Sequence, residues 1–427
     1  MNCTKRARVA KSILKSQRWG SNTVLMANVF LTSAKQAKND EFYTQYSDIQ
    51  REIEAYLEYD PHTFQNKVVY SNCDDPFESN FFRYFALNFN RLGLKQLITT
   101  SYKPSPIANT QLGLFGNDRT LAPAKGRPKI TANKLIINEV HDMDNDGAFN
   151  LTDVAEQLKA NSNNEWAPLD GDGDFQSNEC IELLKRSDIV VTNPPFSLFR
   201  EYVKQLFDYH KKFIIVGNLN AISYKEIFPL IKDDRMWLGN GFSSGNAYFA
   251  TPNARTNFAS GVYDEKTGLV KFRNCHWFTN LDHGRRHQPL NLMTMAENLK
   301  FNKKMKGKAS YDRYDNYNAI EVPFTDAIPN DYADEMGVPI SFLDKYNPDQ
   351  FEIVGITKAW FRFANKVYPS QTQVSKDGEK STVSKLNDGA TIKLDKPPEG
   401  KTYYIVDGEY FEQLYARIIV KRRKAAA

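Results

Sequence analysis

The sequence predicts an α/β fold built on a parallel sheet, and three observations carry that expectation. Short β-branched runs alternate with amphipathic segments between about residues 67 and 231. Two of those runs, Asp188–Thr192 (DIVVT) and Lys212–Gly217 (KFIIVG), are almost wholly apolar, as strands covered on both faces are. Hydrophobic residues make up 41% of the 427-residue chain and charged residues 25%, proportions that fill a core and exclude a mostly disordered polymer.

In chain order, residues 1–38 are a basic arm. Residues 1–39 hold eight lysines and arginines and no acid, whereas the whole chain carries only +5, so the remainder is slightly acidic. Two readings of the arm stand side by side. It is a solvated terminus, or it tracks phosphates through Lys5, Arg6, Arg8, Lys11 and Lys15. Residues 39–238 read as the α/β core. Lys67–Ser71 is a strand, and Ser79–Phe89 an aromatic-rich helix opened by a serine. Lys95–Thr100 is a second strand, and residues 103–165 interrupt the core as an insertion. Ser177–Lys185 is a helix, Asp188–Thr192 a strand, Ser197–His210 an amphipathic helix, Lys212–Gly217 a strand and Tyr224–Ile231 a helix. This β-α-β rhythm places helices on both faces of a parallel sheet, with ligands at the carboxyl ends of its strands. Residues 239–427 form a second, mixed lobe. It is rich in Gly, Asn and aromatics at first, has lysines at 300, 303, 304, 306 and 308, and gains β character from Gln350.

Several classes are excluded. No run approaches the roughly 20 apolar residues of a membrane helix. Cys3, Cys73, Cys180 and Cys275 lie far apart without metal-ligand spacing, and read as reduced thiols of a cytoplasmic protein. No secretory signal follows the basic start.

The segment that carries chemistry is Asn193-Pro-Pro-Phe196, delivered to the end of a buried strand. Asn193 offers a side-chain carbonyl acceptor, and Pro194 offers a backbone carbonyl with no N–H. Pro194 and Pro195 fix φ, so the turn is stiff and both acceptors converge on one point. Phe196 adds a flat apolar face. Two acceptors beside an aromatic plate suit a planar ring bearing an exocyclic NH2: both hydrogens are accepted, the lone pair stays available and the ring is stacked.

Asn193-Pro-Pro-Phe196 resembles the [DNS]-P-P-[FYW] motif of amino-group methyltransferases, which use S-adenosylmethionine. Longer stretches narrow the likeness to the EcoRI-type adenine-specific DNA methyltransferases. They include Asp40–Tyr46 (DEFYTQY), Lys67–Pro76 (KVVYSNCDDP), Gly171–Phe175 (GDGDF) and Ser187–Tyr202. Met236–Gly239, Trp277–Asp282, Tyr314–Tyr317 and Met336–Phe342 follow, so the resemblance runs in order from about residue 35 to 355. It implies a Rossmann-like class I methyltransferase core with a second, mixed α/β DNA-recognition lobe. It implies methyl transfer from S-adenosylmethionine to N6 of an adenine flipped out of double-stranded DNA. A monomer suffices for methylating one strand at a time. Amino groups of RNA bases or protein glutamines are the alternative substrates, and a DNA-binding relative without turnover is the alternative class.

The resemblance also assigns cofactor roles. Phe42, Tyr43 and Thr44 match the segment that closes over the methionine end of the cofactor. The loop Ser71–Pro76 replaces the usual glycine-rich turn. Within it, Asn72 lines the site, and Asp74 or Asp75 pairs with the methionine ammonium or caps a helix. Asp174 accepts from the cofactor's adenine amine while Phe175 packs on its ring. Arg285, Arg286, Lys303 and Lys304 are candidate DNA contacts of the second lobe.

One acidic loop stands apart. Asp142, Asp144, Asp146 and Asp153 occupy positions 1, 3, 5 and 12 of a calcium-loop pattern, with Gly147 at position 6. The alternative is an acidic turn. His276, His283 and His287 near Cys275 read as polar or DNA contacts rather than a zinc site.

Overall fold

The computed structural model describes residues 43–73, 79–102, 132–143, 150–160, 163–242, 246–250 and 262–423. The basic arm, Phe42, Asp74, Asp75, Asp144 and Asp146 lie outside the described residues.

The first elements are β1 (Tyr43–Thr44), α1 (Tyr46–Tyr59), β2 (Val68–Ser71), α2 (Asn80–Leu87) and β3 (Gln96–Thr100). Then come β4 (Asn133–Ile137), α3 (Leu151–Ala160), β5 (Glu165–Pro168), α4 (Asn178–Arg186) and β6 (Ile189–Thr192). They are followed by α5 (Phe199–Asp208), β7 (Lys212–Asn218), α6 (Phe228–Lys232) and β8 (Trp237–Leu238). Next are β9 (Ala247–Ala250), β10 (Tyr263–Asp264), β11 (Leu269–Phe272) and β12 (Cys275–Thr279). The serine starts are real caps: Ser79 Oγ accepts from Phe81 N at 3.2 Å and Ser177 Oγ from Cys180 N at 3.3 Å, each worth about 1 kcal/mol. The expected helix at Tyr224–Ile231 starts late, at Phe228, with Pro229 in its first turn.

The eight-stranded main sheet runs β5-β4-β3-β2-β6-β7-β12-β8. Its centre, β3-β2-β6-β7, is parallel. The flanks are not: β4 runs against β3, β5 against β4, and β12 against both β7 and β8. Two consequences revise the sequence reading. Residues 133–137 lie in the sheet although they fall within the expected insertion. Residues 275–279 also lie in it, beyond the expected core boundary at 238. Both are antiparallel additions, which need no crossover helix and so leave no β-α-β signature.

Strand alternation sorts the core into two layers. Val68, Tyr70, Val190, Phe213 and Ile215 face α4 and α5, through Leu183, Leu184, Tyr202, Val203 and Leu206. Val69, Leu97, Leu135, Val191 and Ile214 face α1, α2 and α3, through Ile49, Ile53, Phe82, Phe85 and Leu158. A small antiparallel sheet, β1-β9-β11-β10, adjoins the second layer.

Beyond residue 300, β13 (Ile320–Glu321), β14 (Met336–Pro339) and β15 (Phe351–Ile356) precede five strands of a separate sheet. These are β16 (Gln371–Val374), β17 (Lys380–Val383), β18 (Thr391–Leu394), β19 (Tyr403–Val406) and β20 (Glu409–Gln413), and β21 (Arg417–Arg422) follows. The order β13-β14-β21-β15 puts β21 in the middle of its sheet, and β17-β16-β19-β20-β18 forms the other. Met336, Phe342, Phe351 and Val420 belong to the same apolar cluster as the α5 face of the main sheet. Among the described residues no helix is long and apolar enough to cross a membrane.

Candidate active site

The chain steps outward from β2 to β3, then returns to β6 and β7 on the other side. The order therefore reverses between β2 and β6, and the crevice outside their carboxyl ends is where open parallel sheets bind ligands. Ser71-Asn72-Cys73 and Thr192-Asn193-Pro194 emerge side by side at that point. Ser71 Oγ donates to Val191 O at 2.8 Å, and Thr192 Oγ1 donates to Asn72 O. These hydroxyls bolt the two strand ends together.

Asn193 and Pro194 are buried, and Pro195 and Phe196 are half-buried. Pro195 O accepts from Leu198 N at 2.9 Å, closing a single 3₁₀ turn over Phe196–Leu198 before α5. On the first turn of α5, Tyr202 donates its hydroxyl to Asn72 Oδ1. Tyr202 also meets Phe175 edge-on at 5.0 Å between ring centroids, and Gln205 Nε2 donates to Phe175 O at 3.0 Å. Asn72, Phe175 and the Asn193–Phe196 turn are thus tied through one helix.

Asp174 Oδ1 accepts from Gln176 N at 2.9 Å, and Asp174 N donates to Asp172 Oδ1 at 3.0 Å. Gly173 makes this turn possible. It has φ +78°, and a Cβ there would stand 1.9 Å from Ser101 O. The turn therefore rides directly on the end of β3.

Tyr43 and Thr44 are buried, and their strand pairs with β9 through Tyr43–Ala250 and Thr44–Phe249. Asn80 Nδ2 donates to Thr44 O at 2.8 Å. The hydroxyls of Thr44 and Thr99 are buried and have no hydrogen-bond partner among the described residues. Buried hydroxyls normally have one.

The other assignments fare differently. Arg286 is 8% exposed, its guanidinium lies 3.9 Å from the Trp237 ring, and it is bound to Asp234 and Asp282. Arg285 binds Asp344 Oδ2 at 2.5 Å and also donates to Asn240 O. Both arginines are tied to carboxylates, Arg286 within the protein and Arg285 at its half-exposed surface. Lys303 and Lys304 are exposed, and Lys304 pairs with Asp326 at 3.3 Å. Of the acidic loop, Asp144 and Asp146 lie outside the described residues, and Asp153 is engaged by main-chain donors. Its carboxylate accepts from Met143 N and Asn150 N, both at 2.7 Å, which caps the turn. Among the described residues no group of three or more His, Cys, Asp or Glu could hold a metal. His276 Nε2 meets Asp344 Oδ1 at 2.8 Å, His283 Nε2 meets Leu238 O at 2.9 Å, and His287 pairs with Asp282.

Glu52 went unread in the sequence. It falls on the apolar stripe of α1 with Ile49, Ile53 and Tyr56, and that spacing was the available signal. Its carboxylate accepts from Tyr56 Oη at 3.0 Å, Asn240 N at 2.9 Å and Gly241 N at 3.0 Å. A Cβ on Gly239 would stand 2.0 Å from Glu52 Oε1, so only glycine lets the loop after β8 close on it. Complete burial pushes this carboxyl up to about 7, against the lowering effect of the main-chain donors. The native chain therefore holds the proton more tightly than the unfolded chain, whose carboxyl keeps the ordinary value of 4.5. The stability from this group is full below that value and is lost as pH rises through about 7. The melting temperature of the wild type minus that of Glu52→Gln should fall between about pH 4.5 and about pH 7 and level off above. A difference that does not change with pH would refute the titration.

Comparison with known proteins defines the class. A family model described as adenine-specific methyltransferase EcoRI matches residues 30–423. The chain belongs to that family and is an adenine-specific DNA methyltransferase. It is 43% identical over 337 residues to the type II methyltransferase M.EcoRI of Escherichia coli, covering 78% of this chain and 90% of that one. It is 33% identical over 328 residues to M.MpnI of Mycoplasma pneumoniae, covering 76% and 85%. It is 34% identical over 329 residues to M.MgeORF184P of Mycoplasma genitalium, covering 75% and 84%. No solved structure matches.

Proposed function

We propose that the main sheet is a Rossmann-like class I methyltransferase core whose Asn193–Phe196 turn methylates N6 of an adenine flipped out of duplex DNA. The observation that carries this reading is the turn's place at the β2/β6 switch point, bolted to Asn72 and Phe175. The amine of a paired, stacked adenine is out of reach of such a crevice, so the base must leave the helix. Asn193 Oδ1 and the Pro194 carbonyl accept the two amine hydrogens and orient the nitrogen. The Phe196 ring stacks on the extruded base. S-adenosylmethionine supplies the electrophilic methyl group. Tyr43, Thr44 and Phe175 hold its two ends, with Asp174 accepting from the adenine amine and Asn72 fixing the floor through Tyr202. Phe42, with Asp74 or Asp75, completes the set. The catalytic gain is mainly positional.

In this reading residues 1–38 are a phosphate-tracking arm, the catalytic core extends to about residue 279, and the residues beyond read the target sequence. Arm contacts come from Lys5, Arg6, Arg8, Lys11 and Lys15, and surface contacts from Lys303 and Lys304. Deleting residues 1–34 should weaken DNA binding and flatten its salt dependence while cofactor binding persists, since phosphate contacts set that slope. An unchanged slope of log affinity against log salt would make the arm a passive tail.

Single-molecule sequencing of DNA from an expressing host tests the function itself. N6-methyladenine in one recurring context is expected. Labelled methyl entering only RNA or protein would overturn the reading.

A further inference from the structure

Phe196 does not stand alone at the crevice. Its ring meets Phe272 edge-on, with centroids 5.9 Å apart and planes at 84°. It meets Phe249 in the same way, at 6.4 Å and 76°. Phe249 and Phe272 meet each other at 5.4 Å and 80°. The three rings form a closed triangle in which each is nearly perpendicular to its neighbours, the arrangement aromatic quadrupoles favour.

The small sheet builds this triangle. β9 and β11 pair with Ala247 opposite Phe272 and Phe249 opposite Val270. Phe249 and Phe272 therefore lie diagonally on one face, the face that meets the main sheet. The backbone under Phe196 is fixed by two prolines and the 3₁₀ turn, but its side-chain torsions are not. Phe196 is only half-buried, so packing has to choose its rotamer.

We propose that Phe249 and Phe272 are positioning residues that clamp the Phe196 ring at one angle, so that one face is set for the flipped base before it arrives. The proposal rests on the reading of Phe196 as the stacking surface. A ring already oriented loses no rotamer freedom when the base lands on it, so the clamp favours the flipped, reacting arrangement, while overall DNA affinity is dominated by phosphate contacts elsewhere.

The test is a double-mutant cycle on single-turnover methylation of a duplex substrate by the full chain. Phe272 is the site to vary, because it is half-buried whereas Phe249 is fully buried and its loss would empty the core. Phe272→Leu should lower the rate by about tenfold, with the KM for S-adenosylmethionine and the DNA affinity within about twofold of wild type. Phe272→Tyr keeps the edge and should restore most of the rate. In a Phe196→Leu background, Phe272→Leu should cost less than about twofold further, because there is no ring left to aim. Equal losses in both backgrounds would overturn the clamp while leaving the stacking reading intact. A Phe196→Leu variant with a normal rate would overturn stacking, and the clamp with it. Loss of cofactor affinity in Phe272→Leu in step with the rate would show a merely structural role and also overturn the clamp.

Discussion

Replacing Asn193 with Ala should abolish measurable methyl transfer, a loss on the order of 10³-fold or more. Asn193 is buried at the end of β6, next to Thr192, whose hydroxyl is bonded to the main chain of Asn72. In the proposed mechanism its side-chain oxygen takes one hydrogen of the target amine, and no other side chain of the turn can replace it. Pro194 contributes only its carbonyl, and Pro195 has no donor or further acceptor in its side chain. The cofactor contacts assigned to Tyr43, Thr44 and Phe175 lie on other segments. Cofactor affinity, read by titration calorimetry, should therefore stay within a few-fold of wild type. A near-normal single-turnover rate in Asn193→Ala would remove Asn193 from the mechanism.

Phe196→Ala is the second large effect. A stacked base is worth on the order of 1–3 kcal/mol to such a platform, and the contribution is sequence-blind. The rate should fall strongly and DNA affinity less, since arm and surface contacts remain. Phe196→Tyr and Phe196→Trp keep a π-face and should keep substantial activity. A 2-aminopurine at the target position should brighten when the wild type binds, because it leaves the stack. The competing account makes Phe196 one more core side chain, since it packs on Phe249 and Phe272. That account requires a less stable Ala variant whose folded fraction works at the normal rate. Melting curves beside single-turnover rates separate the two.

Local signals in the sequence are strong where one strand or helix decides its own fate. The apolar runs at 189–192 and 212–218 became central strands, and the serine expected to open the helix at Ser79 caps it. The Asn193–Phe196 turn was readable because proline stiffness and a strand end are local properties. Partnerships set by distant residues were not. Arg286 looked like an exposed cation because nothing near it in sequence announces that Trp237 and Asp234 will enclose it. Cys275–Thr279 looked like part of a second lobe because an antiparallel addition needs no helix to announce it. Asp153 matched a calcium pattern by spacing alone. Its two main-chain hydrogen bonds show that a helix cap uses the same acid at the same place. Glu52 was legible as an acid on an apolar stripe, but not the loop it holds.

The central position of β21 bears on how the protein is made. β14 and β15 do not pair with each other, and each pairs with Arg417–Arg422 between them. A nascent chain on the ribosome that has not yet released those residues holds both β14 and β15 with an open edge. Open edges template pairing with other chains. The Asn193–Phe196 turn leaves the ribosome more than 200 residues earlier, yet the apolar cluster on the α5 face of the main sheet includes Ile418 and Val420. Translation that stalls late therefore yields a chain with its chemistry encoded and its core unsealed, the state in which a large protein is most exposed to aggregation and proteolysis.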